Sequence, residues 1–129
     1  MRRRVDRGQN LVELAIVMPL LLLILMGVID LGRAFHAYIV VENAAREAAR
    51  YGASHPSQLT GADSAEERAI TEATNAGISP VTVSVQKLSG SDTTIQATVS
   101  YQFSLLSGFL GIGPLNLTGT AEMTVLALL

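Results

Sequence analysis

The sequence predicts an α+β fold: a long N-terminal helix whose first half crosses a membrane, a short second helix, and a three-stranded antiparallel sheet. The helix is predicted because residues 9–29 carry only one charged side chain and strong helix formers continue to residue 51. The sheet is predicted by three segments of alternating apolar and polar residues after residue 80. With 49% hydrophobic residues and a mean hydropathy of +0.38, the 129-residue chain is also unusually apolar for a soluble protein.

The first element is a membrane span over residues 9–29. At 1.5 Å per residue this helix is about 31 Å long, close to the thickness of the hydrocarbon core of a bilayer. Pro19 removes one helical hydrogen bond, so a kink is expected there. The basic residues before the span place the N-terminus in the cytoplasm and the residues after Asp30 outside. These topogenic charges are Arg2, Arg3, Arg4 and Arg7.

The helix is predicted to continue outside the membrane over residues 30–53, because the first strong helix breakers are Gly52 and Pro56. Glu42 and Arg46 are four residues apart and predict a supporting ion pair. Small and apolar residues recur at three-and-four spacing on one face, which must be covered by other parts of the chain or by a partner. These positions are Ala34, Ala37, Tyr38, Val41, Ala44, Ala45, Ala48 and Ala49.

Residues 54–129 form a small α+β domain. A helix is predicted at about 63–76, with Asp63 or Ser64 as its cap and Gly77 after its end. Its apolar face is predicted to be Ala65, Ala69, Ile70 and Ala73. The strands are predicted at about 80–88, 93–104 and 115–127, with a hairpin turn at 89–92. A three-stranded sheet laid over the outer half of the long helix would bury both apolar surfaces.

The connection between the second and third strands, residues 105–113, is unusually apolar. Two interpretations are open: it folds over the sheet, or it is exposed and contacts a partner or the membrane surface. Its apolar residues are Leu105, Leu106, Phe109, Leu110 and Ile112.

Several classes of function are disfavoured by composition. Residues 9–129 hold five basic and ten acidic side chains, a net charge of −5 that does not suit nucleic-acid binding. Without cysteine there is neither a disulfide nor a thiolate metal site. His36 and His55 are isolated from acids at ligand spacing, so we predict no metal, no cofactor and no catalytic residue.

A basic segment followed by an apolar one is also typical of a secretory signal peptide. The passable cleavage site in the sequence is Ala34-Phe35-His36-Ala37, which would leave Tyr38 as the new N-terminus. Cleavage there would divide a well-formed helix. In this alternative the chain is a signal-cleaved or single-pass exported binding domain with no role in a filament.

The N-terminal sequence has a further pattern: a short basic segment ends in Gly8, the span starts directly after it, and Glu13 is the fifth residue beyond the glycine. This pattern resembles a class of type IV prepilins. The whole stretch RGQNLVELAIVMPLLLLILMGVIDLGRAFHAYIVVENAAREAARYGA resembles specifically the TadE-like proteins of the tight-adherence (Tad) pilus system. The fold expected from this resemblance is pilin-like.

The resemblance implies that residues 1–8 are a leader, removed by a membrane prepilin peptidase that cuts between Gly8 and Gln9. It also implies that Glu13 pairs with the terminal amine of a neighbouring subunit and sets the register of assembly. The chain would then be a pseudopilin or minor pilin in the inner membrane, acting in adhesion or secretion. Its partners would be other pilins, the assembly platform and the bilayer. Small residues for helix packing against such partners are Gly27, Gly32, Ala34, Ala37, Val41, Ala44, Ala45 and Ala48.

Overall fold

A computed structural model describes residues 3–88 and 93–125, except for the side chains of residues 3–7, 109 and 110. Its elements are two helices, α1 (Arg3–Ser54) and α2 (Ala65–Asn75), and three strands, β1 (Thr82–Lys87), β2 (Thr94–Phe103) and β3 (Leu115–Thr124). A 3-10 turn (Leu106–Leu110) lies between β2 and β3. The predicted α+β class is therefore confirmed. The 89–92 turn and the end of the third predicted strand, 126–127, lie outside the described residues.

Helix α1 is longer at both ends than the sequence predicts. It begins at Arg3 rather than near Gln9, and it ends at Ser54 rather than near Tyr51. The helix is continuous through Pro19. Proline removes one helical hydrogen bond, and the regular helix on both sides of it offsets that loss. Helix α2 begins after Ser64, whose hydroxyl oxygen accepts a hydrogen bond from the Glu67 N–H at 3.3 Å.

The three strands form one antiparallel sheet in the order β1-β2-β3. The central strand β2 runs antiparallel to α1 along the outer half of the helix. A Cβ on Gly52 would lie 3.0 Å from Ile95, near the start of β2. The guanidinium of Arg33 lies 5.1 Å from the ring centroid of Phe103, at the end of β2. The helix between residues 33 and 52 and the strand between residues 95 and 103 have nearly the same length, because 19 helical residues rise about 28 Å and eight strand residues about 27 Å.

The core lies between α1, α2 and one face of the sheet. Val85, Ile95, Ala97, Val99 and Phe103 are its buried strand residues. The helix contributes small side chains, Ala37, Val41, Ala44, Ala45, Ala48 and Ala49, hereafter the alanine stripe. Small side chains let the helix backbone approach the sheet closely, and α2 adds Ala65, Ala69 and Ala73 to the same core.

Tyr38 and Ile70, predicted on buried faces, are exposed, and so are two residues on the apolar face of the third predicted strand, Leu115 and Met123. Tyr38 lies at the edge of the stripe and donates a hydrogen bond to Glu42 at 3.4 Å. Ile70 lies on the solvent side of α2. Leu115 and Met123 are on the helix-facing side of β3, but α1 covers only the middle of that strand. The predicted Glu42–Arg46 ion pair is confirmed, with its atoms 3.4 Å apart.

The outer face of the sheet consists of polar residues with one charge among them. Thr and Ser tolerate an extended backbone and pair across strands, as Ser100 does with Thr118 at 3.3 Å. Gln96 donates to the single acid, Glu122, at 2.9 Å. The face comprises Thr82, Ser84, Gln86, Gln96, Thr98, Ser100, Gln102, Asn116, Thr118, Thr120, Glu122 and Thr124.

Gly119 is the point at which α1 comes closest to the sheet. A Cβ at this position would lie 2.9 Å from both the Val41 carbonyl oxygen and the Glu42 nitrogen. These are backbone atoms of a helix, so they cannot move aside as a flexible side chain could. A residue with no side chain is therefore required at the centre of β3.

We expect Gly119→Ala to destabilise the domain by about 1–3 kcal/mol, the usual cost of overpacking a core. The measurement is chemical denaturation of the full chain in detergent micelles, followed by circular dichroism. Gly113→Ala is the matched control, because a Cβ there would have no atom within 4 Å. Equal stability of the two variants would contradict the close approach at Gly119.

Candidate functional site

The N-terminal half of α1 has apolar side chains all around its surface. From Leu11 to Ile29 its large apolar side chains are 41–67% exposed, apart from Ile16 at 71% and Met26, which is partly buried. An 18-residue window of this helix has a mean hydropathy of 2.7, and none of it is buried within the protein. The helix is long and apolar enough to cross a bilayer. Membrane anchoring accounts for an apolar surface that the other described residues leave uncovered.

The residues singled out near the N-terminus lie on this uncovered helix. Gly8 and Gln9 are exposed, and a Cβ on Gly8 would have no atom within 4 Å. Glu13 lies four residues after Gln9, so the two share one helix face. In the described part of the chain, Glu13 forms no ion pair. Arg3, Arg4 and Arg7 lie on the first turns of α1 with undescribed side chains, and Arg2 lies outside the described residues.

The small residues predicted for helix packing fall into two groups. Gly27 and Gly32 are exposed with open space around them. The others face the chain's own sheet: Ala34 is half-buried, and Ala37, Val41, Ala44, Ala45 and Ala48 are buried. The fold itself therefore occupies most of the surface that could have packed against a partner.

Asp30, the residue after the predicted span, joins the helix to the connection between β2 and β3. Its Oδ1 accepts hydrogen bonds from the Leu106 N–H at 2.9 Å and from the Arg33 guanidinium at 3.1 Å. Its Oδ2 accepts from the Ser107 N–H at 2.9 Å and from the Ser107 hydroxyl at 2.7 Å. Each carboxylate oxygen thus has two donors, and Asp30 is only 3% exposed. We call this arrangement the Asp30 clasp.

The clasp changes the acidity of Asp30. Burial by itself raises the pKa of the carboxyl, but the hydrogen bonds from the backbone of Ser107 and Leu106, the Ser107 hydroxyl and Arg33 outweigh it. The net result is a pKa lowered from 3.8 to about 2. Asp30 is therefore charged at every physiological pH, and its carboxylate accepts all four hydrogen bonds of the clasp.

Sequence reasoning missed the clasp. The residue pattern identifies Asp30 only as an acid at the outer end of the span, because three of its four donors lie 76 and 77 residues away and two of these are backbone groups. It also left open where the apolar connection lies. In the structure Leu105 packs against the core, whereas Leu106 and Ile112 are exposed. The side chains of Phe109 and Leu110 lie outside the described residues.

The two histidines have ordinary surroundings. His36 is exposed beside Arg33 in a shallow depression that Gly77 and Tyr101 also line. His55 stacks on the Tyr51 ring with the centroids 4.4 Å apart. Among the described residues, no group of three His, Cys, Asp or Glu side chains could hold a metal ion.

The lowered pKa of Asp30 gives a pH-dependence with a definite sign. A depressed pKa stabilises the folded state above the ordinary value of 3.8, and this contribution is lost as the pH falls through about 2. We expect the Leu106 and Ser107 amide resonances of the full chain in micelles to be constant above pH 3.8 and to titrate as the pH falls to about 2. Asp30→Asn should abolish this titration, whereas the control Asp63→Asn, at an 82% exposed side chain, should preserve it. A midpoint near the ordinary value would contradict the clasp.

Comparison with known protein families gives a match over the N-terminal part of the chain. Residues 8–50 match the family model described as TadE-like protein, and this match confirms the resemblance found in the sequence. The matched segment contains Gly8, Glu13, the apolar residues of the span and the whole alanine stripe. No curated protein and no solved structure matches the chain.

Proposed function

We propose that this chain is a membrane-anchored pseudopilin or minor pilin in the assembly of a Tad-type pilus, acting in adhesion or secretion. The observation that carries the proposal is that the TadE-like segment, residues 8–50, coincides with the uncovered apolar half of α1 and its continuation under the sheet. The protein is then a structural subunit and a substrate of processing, not an enzyme. Its apolar helix crosses the inner membrane, with the arginines in the cytoplasm and the sheet outside.

The proposed processing step is hydrolysis of the peptide bond between Gly8 and Gln9 by a prepilin peptidase. The surroundings of Gly8 support this site, because the residue is exposed and no atom would lie within 4 Å of a Cβ. Glycine also destabilises the helix by about 1 kcal/mol relative to alanine, so the backbone unwinds here at lower cost than at the neighbouring non-glycine residues. A protease needs an unwound backbone to reach the scissile bond.

Removal of residues 1–8 would create a new positive charge on the amine of Gln9. This amine lies one helical turn from Glu13, whose carboxylate has no ion-pair partner within the described residues. A charge costs about 2.5–3.5 kcal/mol at the centre of a bilayer on insertion scales, and less towards an interface, where Glu13 lies. Pairing with an amine, its own or a neighbour's, would offset that cost. Because a misaligned neighbour leaves the acid unpaired, the pair would set the register of assembly.

The surface available to neighbouring subunits follows from what the sheet already covers. The alanine stripe is buried in the chain's own core and is not available, so we assign lateral packing to the exposed apolar half of α1. Gly27 and Gly32, at and just beyond the outer end of that half, have open space around them, so another helix can approach closely. These neighbours would be other pilins and the membrane platform that assembles them.

The first test is the N-terminus of the protein isolated from its native membrane. We expect intact-mass analysis and N-terminal sequencing to give Gln9, and a strain without its prepilin peptidase to give the uncut chain. Cleavage near Tyr38 would identify a secretory signal instead. An intact Met1 in the wild-type strain would also exclude prepilin processing.

The second test concerns Glu13. We expect Glu13→Ala to leave membrane insertion intact, since removing a charge makes the span more apolar, but to abolish co-purification with other pilins. Leu14→Ala is the matched control, because it truncates the adjacent exposed side chain without changing charge. The measurement is affinity co-purification from solubilised membranes. Normal recovery of partners with Glu13→Ala would argue against its register role.

A further inference from the structure

Exposed aliphatic side chains outside α1 are concentrated at one end of the sheet. Leu106 is 53% exposed and Ile112 51%, and both lie on the β2–β3 connection, residues 104–114. Leu115, the first residue of β3, is 44% exposed beside them. The other large exposed aliphatic residues described outside α1, Ile70 and Met123, lie apart from this group.

This end of the sheet is the end nearest the proposed span. The Asp30 clasp holds the backbone of Leu106 and Ser107 within 2.9 Å of the carboxylate of the first residue after the span. Beyond the hydrocarbon core, the headgroup region of a bilayer adds about 5–8 Å on each side. A segment hydrogen-bonded to residue 30 therefore lies at the level of the headgroups.

The chemistry of the connection suits that position. Residues 104–115, SLLSGFLGIGPL, contain no charged side chain, so no ion would have to lose its water on entering the interface. The one acid beside them, Asp30, already has four hydrogen-bond donors. Arg33 is half-exposed at the same level, where a guanidinium meets lipid phosphates.

We propose that the β2–β3 connection is a second membrane contact, whose aliphatic side chains insert into the boundary between headgroups and acyl chains. Asp30 is its positioning residue, since it fixes the connection against the end of the span. The connection is hydrogen-bonded to the residue that directly follows the apolar surface of α1, and this position makes lipid the occupant. The inference rests on the proposed function in one respect: α1 must cross a membrane.

The chain contains no tryptophan, so a single introduced tryptophan reports on one position. The probes are Leu106→Trp and Ile112→Trp in the full chain, reconstituted in phosphatidylcholine–phosphatidylglycerol vesicles. We expect blue-shifted emission, quenching by lipids brominated near the headgroup end of the acyl chains, and protection from aqueous iodide. Met123→Trp, at an exposed position in the distal part of β3, is the matched control and should be quenched by iodide alone.

Val17→Trp, in the middle of the proposed span, separates the two proposals. If it is quenched by brominated lipid while the tryptophans at 106 and 112 are quenched by iodide, the second contact is wrong and the membrane anchor stands. If the tryptophan at 17 is not quenched by lipid, both proposals fail. Protection of the 106 and 112 reporters from both quenchers would indicate a protein partner and overturn the lipid contact.

The role of Asp30 is tested in the same vesicles. We expect Asp30→Ala to reduce lipid quenching of the tryptophan at 106, because the connection is no longer held at the level of the headgroups. The Met123→Trp signal should be unchanged by Asp30→Ala, which controls for general unfolding. Unchanged lipid quenching at 106 would show that Asp30 does not position the contact.

Discussion

A helix can lie close to a sheet only where both surfaces consist of small side chains, and here the alanine stripe of α1 meets Gly119 of β3. That contact brings the Gly119 Cα against the helix backbone at Val41 and Glu42. It fixes the path of the sheet along α1, and with it the residues that remain uncovered. Because the sheet covers only the outer half of the helix, the apolar inner half is left for another environment.

The two halves of α1 therefore meet different requirements on one continuous element. The outer half needs small residues at helical spacing so that the sheet can approach, whereas the inner half needs large apolar residues all around. Asp30 lies at the boundary between the two halves. Its carboxylate stays charged because the backbone of the β2–β3 connection solvates it in place of water. The boundary is thus marked by a polar contact within the fold itself.

Periodicity in the sequence was enough to predict the fold class, because each element has a strong pattern of its own. The helix ends at Ser54, between the predicted breakers Gly52 and Pro56, and the strands alternate apart from Gly119. Exposure at Leu115 and Met123 could not be predicted, since a pattern shows which face is apolar but not how far a partner extends over it. Gly119 has no apolar side chain at a position where the alternation of β3 calls for one, so the sequence alone suggests a weakened strand. The close approach of α1 nevertheless requires glycine there. The Asp30 clasp joins groups 76 and 77 residues apart and uses backbone donors, which no residue pattern encodes.

The sheet is fastened to α1 at both of its ends, by Arg33 and Asp30 near the span and by Gly52 packed against Ile95 at the far end. Between these two ends of the sheet, nearly the whole length of β2 lies antiparallel to the helix. A pull along the helix axis therefore loads these contacts together, in shear, instead of peeling the sheet from one end. Contacts loaded in shear must break nearly at once, so the domain resists a force on its anchor as a single mechanical unit.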